Sequence, residues 1–330
     1  MITARDLRKF FPFKKGLFGR EMELKAVDGV TLEVAENRVL GVVGESGSGK
    51  STLARMVTAL DRPTSGDVLF RGKSVFAMDR RELKAFRRSV QMIFQDPFAS
   101  LNPRATVCDT IAEPIKIHRL AGKKDIEQKV AGLLKDVGLS REVMHRYPHE
   151  FSGGQRQRIC IARALAVSPR LIVADEPLSA LDVSIQAQIL NILSDLKRRD
   201  RISFLFISHD LRVVEYLSDE VLVMYLGRVV ERSEADRLFE KPLHPYTAGL
   251  FASAPAIKAR QMSEGPVSGQ EKTEAPKGDI PSPIDIPPGC PFHPRCPRRF
   301  SPCGKVSPLL MEPAGQPGRL VACHLWNQFS

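Results

Sequence analysis

Gly44-Glu45-Ser46-Gly47-Ser48-Gly49-Lys50-Ser51 is the stretch whose residue types and spacing can do chemistry on their own. Its glycines let a backbone curl around an anion and turn N–H groups inward. Lys50 can reach the outer phosphates of a nucleoside triphosphate, and the Ser51 hydroxyl can ligate Mg²⁺. Such a loop carries meaning only between a strand and a helix. Val39-Leu40-Gly41-Val42-Val43 before it reads as a buried strand, and Thr52 to Val57 after it as the first turns of a helix. That helix N-terminus would add partial positive charge behind the loop.

Other candidates fall where strands end. Leu171-Ile172-Val173-Ala174 reads as a buried parallel strand tipped by Asp175 and Glu176. Successive side chains of an extended chain diverge, so Asp175 can face Mg²⁺ while Glu176 faces the terminal phosphate and its attacking water. Two adjacent acids resist ionising together without a cation nearby. Gln95 follows a strand over 89–94, and His209 follows one over 203–208. Both would sit at the sheet edge where α/β proteins bind ligands. Gln95 could touch Mg²⁺ or the attacking water, or cap a turn; His209 could reach the terminal phosphate. Ser152-Gly153-Gly154-Gln155 opens a helix, which suits an anion but equally suits a plain cap. Phe10, Phe11 and Phe13 precede the loop; Phe11 is the choice for stacking on adenine, against ordinary core packing.

The elements that must position these groups alternate strand and helix. Leu24 to Val27 and Val30 to Val34 read as strands joined by an Asp28-Gly29 hairpin turn. A turn at Thr64 to Asp67 leads into a strand over Val68 to Phe70, and a helix follows at about 79–88. Residues 106–147 are mainly helical, with Ile126, Val130, Leu133, Leu134 and Val137 making one apolar face that Gly138 ends. Ser179 to Asp182 caps a helix running from Val183 to about Arg199, with Ile189, Leu193 and Leu196 facing inward. Val221 to Tyr225 and Val229 to Glu231 form a hairpin around Gly227.

Composition bounds the setting. At 330 residues the chain is long enough for about two domains. No run of 18 apolar residues is present, so no transmembrane helix is expected. Met1 to Arg5 does not read as the start of a secretory signal, so a cytoplasmic location is expected. A net charge of +11, from 49 basic and 38 acidic residues, suits nucleotides, nucleic acid, an anionic membrane face or a merely solvated surface. Cys108 and Cys160 read as core fillers. Cys290, Cys296, Cys303 and Cys323 cluster near the C-terminus, where thiolates favour zinc or an iron–sulfur cluster over disulfides in a cytosolic chain. Their spacing fits neither common zinc-finger pattern. His293 and His324 are possible substitute ligands.

Taken together, Gly44 to Ser51, Gln95, Ser152 to Gln155, Leu171 to Glu176, Ser179 to Asp182 and His209 resemble six motifs of ATP-binding-cassette ATPases. These are the phosphate loop, Q-loop, signature, metal-binding strand, D-loop and H-loop, in the family's order. The resemblance implies an α/β fold with a P-loop NTPase (RecA-like) core, an antiparallel β subdomain, a helical subdomain and a cysteine-containing extension. It divides the chain into an ATPase domain over 1–245, with a helical insert at about 98–155, and an extension over 246–330 with a linker at about 258–288. It implies ATP contacts through Phe11, the loop, Thr52, Gln95, Asp175, Ser152 to Gln155 and Asp182. Mg²⁺ would be held by Ser51, Gln95 and Asp175. Glu176 would act as general base, assisted by His209 and Gln95.

Gln95 to Arg104, His244-Pro245-Tyr246-Thr247 and the cysteine tail are similar to the ATPases of oligopeptide, dipeptide and nickel importers. That resemblance implies a peptide importer subunit, peripheral on the cytoplasmic side of the inner membrane. Its partners would be a second ATPase, paralogous to this one, two permeases and an extracytoplasmic solute-binding protein, with no nucleic acid. It also favours a [4Fe–4S] cluster on Cys290, Cys296, Cys303 and Cys323, with Zn²⁺ as the alternative. Competing expectations are a nickel or other small-solute importer, a soluble cassette acting on nucleic acid or ribosomes, and a sensor using the cassette as a scaffold.

Overall fold

The structure is a computed structural model that describes residues 1–14, 21–179, 181–253 and 278–326. Its strands are β1 (Ile2–Lys14), β2 (Glu21–Val34), β3 (Val39–Val43), β4 (Ser65–Phe70), β5 (Lys73–Ser74), β6 (Val90–Ile93), β7 (Leu171–Asp175), β8 (Ser203–Ile207), β9 (Glu220–Tyr225), β10 (Arg228–Glu234) and β11 (Leu320–Val321). Its α-helices are α1 (Lys50–Val57), α2 (Arg80–Ser89), α3 (Pro97–Ser100), α4 (Val107–His118), α5 (Ile126–Asp136), α6 (Gly153–Leu165), α7 (Val183–Asp200), α8 (Leu211–Leu217), α9 (Ala235–Glu240) and α10 (Pro245–Ala252).

Two sheets form. The larger has the order β11-β10-β9-β3-β8-β7-β6, and the smaller has the order β2-β1-β4-β5. From β9 through β3, β8 and β7 to β6 the neighbours are parallel, whereas β10 and β11 add antiparallel. Parallel strands covered on both faces need apolar residues at successive positions, and β3, β7 and β8 are buried throughout. Their side chains divide by alternation. Val39, Val43, Ile172, Ala174, Phe204 and Phe206 face one core with the helical segments. Leu40, Val42, Leu171, Val173, Leu205 and Ile207 face the other, with α1 and the smaller sheet.

Two local expectations are corrected. Asp28-Gly29 is not a hairpin turn; it lies inside the single strand β2, which pairs antiparallel with β1. The register slips between the Leu7–Val30 and Arg8–Asp28 pairs, and Gly29 takes a φ of +81°. A glycine inside a strand marks a bulge as readily as a turn, and the true connection lies further upstream. Likewise Ser65, Gly66 and Asp67 belong to β4, where β1 holds them.

The remaining elements follow local chemistry. Asp79 and Glu82 make a reciprocal capping box at the start of α2. Thr106 caps α4 and Ser152 caps α6. Gly138, at φ +72°, terminates the α5 segment. Most of the expected 258–288 linker lies outside the described residues. Beyond it the tail rejoins the body: β11 pairs with β10, and Cys290, Phe292 and Cys303 join the larger core.

Candidate active site

Because β3, β6, β7 and β8 run parallel, their C-terminal ends share one edge, and the residues just beyond them converge. There a cleft of about 730 Å³ is lined by Phe11, Ser46, Gly47, Gly49, Lys50, Ser51, Thr52, Gln95, Glu176 and His209, with Leu24, Ala26 and Pro283. A cleft of about 680 Å³ near Arg170, Arg199 and Ser203 adjoins the opposite strand ends and receives none of these groups.

The loop between β3 and α1 is shaped by two close approaches. Gly44 has φ +155°, and a Cβ there would lie 2.2 Å from the Met224 carbonyl oxygen. Gly49, at φ +100°, would collide with the Ala26 carbonyl at 2.1 Å. Only glycine meets both conditions. Lys50 Nζ donates to the carbonyls of Gly44 and Glu45 at 2.8 and 2.9 Å and lies 3.4 Å from Ser48 Oγ. Burial pushes its pKa down, and the charges of Glu176, Asp175 and Glu45 oppose that shift.

The acids diverge as an extended backbone requires. Asp175 is buried and accepts a hydrogen bond from Ser51 Oγ at 3.0 Å. Burial raises its pKa, the Ser51 hydroxyl works against this, and the neighbouring Glu176 charge adds to it. Glu176 turns toward the cleft from a left-handed backbone, φ +45°, a strained setting for a residue with a side chain. Its Oε2 accepts from Gln95 Nε2 at 3.3 Å and lies 3.0 Å from His209 Nδ1. Thus Gln95, Glu176 and His209, from three strand ends, form one hydrogen-bonded group facing Lys50 and Ser51 across the cleft. Ser51 and Asp175 supply hard oxygen donors beside one another, which is the chemistry Mg²⁺ prefers.

Other expected residues stand elsewhere. Ser152, Gly153 and Gln155 are exposed at the start of α6 and do not line this cleft. The Ser152 hydroxyl accepts from the Gln155 amide, and the Gln155 side chain returns to the Ser152 amide. Gly154 is buried, and a Cβ there would meet Ile185 of α7 at 2.3 Å, so packing alone demands glycine. Asp182 is exposed at the N-cap of α7, beside the exposed Val183. Cys160 is buried in α6, its thiol pushed up to about 11 by burial.

In the tail, Cys290, Cys303 and Cys323 are buried and Cys296 is half-buried, all as free thiols. Burial pushes Cys290 up to about 11 and Cys323 up to about 12, and the other cysteines of the set add to both shifts. Among the described residues no group of three or more His, Cys, Asp or Glu is arranged to hold a metal ion. The four cysteines therefore share a neighbourhood without the geometry of a cluster site.

Sequence reasoning missed the contacts that tie the tail to the loop. Arg295 makes a bidentate ion pair with Glu45 at 2.8 and 2.9 Å, and the Tyr246 hydroxyl accepts from the Glu45 amide at 2.8 Å. Also missed was a buried pair in which Arg319 lies 3.0 Å from Glu231, which accepts from the amides of Leu243 and His244. No local periodicity predicts partners 250 positions apart in the chain.

Known proteins match both parts of the chain. The ABC transporter family model matches residues 27–179, and that for the oligopeptide/dipeptide transporter C-terminal region matches 230–303. The oligopeptide transport ATP-binding protein AppF of Bacillus subtilis is 47% identical, over 99% of this chain and 98% of its own length. The dipeptide transport ATP-binding protein DppF of Escherichia coli is 44% identical, over 99% and 95%. Among solved structures, the ATP-binding cassette MJ0796, a dimer in a post-hydrolysis state with ADP and Pi, superposes with a TM-score of 0.63. It is 28% identical and covers 71% of this chain and 99% of its own. No helix among the described residues is long and apolar enough to cross a membrane. With both family models and relatives matched over nearly its whole length, this chain belongs to the ATP-binding-cassette transporter ATPases, in the group that carries an oligopeptide/dipeptide-type C-terminal region.

Proposed function

We propose that the chain energises the import of short peptides, working as the peripheral ATP-hydrolysing subunit on the cytoplasmic face of a membrane. The observation that carries this reading is the joint match, end to end, to ATP-binding proteins named for oligopeptide and dipeptide transport. In this reading residues 1–245 form the ATPase unit, with the insert at about 98–155 bearing the signature helix, and 246–330 form the tail.

The cleft supports a specific division of labour. Phe11 is 40% exposed on its wall and available to stack on the adenine. The loop from Gly44 to Ser51, with Thr52, would wrap the phosphates with backbone N–H groups, and Lys50 would exchange its carbonyl partners for phosphate oxygens. Ser51 and Gln95, with Asp175 directly or through water, would hold Mg²⁺, which supplies charge neutralisation for the phosphoryl oxygens. Glu176 would take the proton of the attacking water, and its hydrogen bonds to Gln95 and His209 orient the carboxylate for that task. His209 would then hold the terminal phosphate.

Ser152, Gly153, Gly154, Gln155 and Asp182 would serve a second cassette, a paralogue, since they lie outside their own cleft at helix starts where all but Gly154 are exposed. For the permeases, we favour the groove of about 310 Å³ lined by Leu60, Met92, Phe94, Pro114 and Ile117, next to the Gln95 segment. Leu60 and Ile117 are exposed apolar groups there. A solute-binding protein outside the cell would select the cargo.

For the tail, the donor set of Cys290, Cys296, Cys303 and Cys323 favours thiolate ligation of a [4Fe–4S] cluster, with Zn²⁺ as the alternative. The thiols would have to close together and lose their protons to bind either. Anaerobic purification followed by iron, sulfide and zinc analysis decides between them.

The test of the main reading is uptake. Cells lacking this chain should lose peptide uptake, regain it with the wild-type gene, and fail to regain it with Glu176→Gln. Rescue of nickel uptake instead, with peptide uptake untouched, would overturn the cargo assignment.

A further inference from the structure

We infer that Arg295, in the tail, is a positioning residue for the phosphate-holding loop, acting through Glu45. The inference rests on reading Gly44 to Ser51 as that loop.

Glu45 is anchored through every polar group it has. Its amide donates to Tyr246 Oη at 2.8 Å. Its carbonyl accepts from Lys50 Nζ at 2.9 Å and from the Ser48 amide at 3.2 Å. Its two carboxylate oxygens meet the two terminal nitrogens of Arg295 at 2.8 and 2.9 Å. Two of these four anchors, Tyr246 and Arg295, come from beyond residue 240. The Glu45 peptide therefore cannot rotate without breaking contacts to the tail. That peptide sets the direction of the next N–H groups in the loop, the groups an anion must meet.

Arg295 is itself enclosed. Its side chain is 7% exposed. It sits in a short turn, His293–Arg295, between Cys290 and Cys296. Its guanidinium lies 5.9 Å from the ring centres of Tyr225 and Phe292. Tyr225, Tyr246 and Phe292 contact one another with ring centres 4.7 to 5.4 Å apart. A planar fork inside an aromatic wall fixes a carboxylate in both position and orientation, which a lysine cannot do. Removing Glu45 would leave the enclosed Arg295 charge uncompensated, whereas Glu45 itself keeps 23% of its side chain in solvent.

The experiment titrates the full-length chain with a fluorescent ATP analogue and follows thermal melting in parallel. Arg295→Met and Glu45→Gln should each weaken binding about tenfold. The double variant should be no weaker than either single, because both remove the same constraint. Arg295→Lys, keeping charge without the fork, should recover part of the loss. Should Arg295→Met fail to fold, Arg295→Lys and Glu45→Gln carry the test. Unchanged affinity in folded variants, or losses that multiply in the double, would overturn the inference and leave the pair a tail-docking contact. Lys50→Ala separates the two levels. If it abolishes binding while Arg295→Met is neutral, only the clamp fails. If it binds normally, the loop reading and the clamp fall together.

Discussion

Glu176 and His209, 33 positions apart in the chain, meet with Oε2 and Nδ1 separated by 3.0 Å, at the tips of adjacent parallel strands. Gln95 reaches the same oxygen from the far side of β7. The carboxylate is thus oriented by two neighbours, as the general-base role proposed for it requires.

Replacing the proposed base is the most direct check. Glu176→Gln keeps shape and hydrogen-bonding capacity but cannot accept the water's proton. Turnover in the assembled transporter should drop by about 10²- to 10⁴-fold while ATP affinity is kept. Steady-state phosphate release and nucleotide binding, measured together, provide the answer. Wild-type turnover in this variant would assign the proton to another group.

The choice among the three early phenylalanines can be read from binding. Phe11→Ala should weaken ATP binding by about 1–3 kcal/mol, the range for one base–aromatic stack. Phe13→Ala, outside the residues that line the cleft, should leave it unchanged. Equal losses in both variants would remove Phe11 from its assigned role.

Arg319 and Glu231 tie the tail to β10 through a fully buried pair. Arg319→Met strands a charge that burial already disfavours, so the variant should lose about 3–5 kcal/mol of stability. Adding Glu231→Gln should restore part of it by removing the stranded charge. Chemical denaturation of the three variants tests this; a further loss in the double would contradict it.

His244 is fully enclosed, its side chain accepting from the Tyr246 amide at the start of α10, and burial pushes its pKa from 6.5 to about 3. Between those values the unfolded chain binds a proton that the folded chain refuses, so stability falls as pH falls. The contribution is about 1.4 kcal/mol per pH unit below 6.5, levelling off near pH 3. Glu231 and Asp175, with raised pKa values, act oppositely as pH rises through their range. The difference between wild type and His244→Asn, which keeps an acceptor for the cap, isolates the histidine. Parallel stability curves for the two proteins from pH 7 to 4 would refute the assignment.

What the sequence determined by itself was local in its physics. Short apolar runs read as buried parallel strands, and Val39 to Val43, Leu171 to Asp175 and Ser203 to Ile207 are such strands. Glycine spacing and a following lysine specified an anion loop, and helix caps such as Ser152 were readable from one residue and its third neighbour. Glycine was ambiguous wherever two local structures use it: Gly29 and Gly66 could have been turns, and only pairing with β1 placed both inside strands, Gly29 as a bulge and Gly66 opposite one. Tertiary structure alone decided which distant groups share a contact. Nothing near Glu45 announces Arg295, and nothing near Glu231 announces Arg319, because ion pairs from a loop or a strand to the tail leave no periodic trace in either segment. The four cysteines carry the same lesson in reverse, since their side-chain chemistry suggested a metal while the folded chain brings them near one another without closing a site around it.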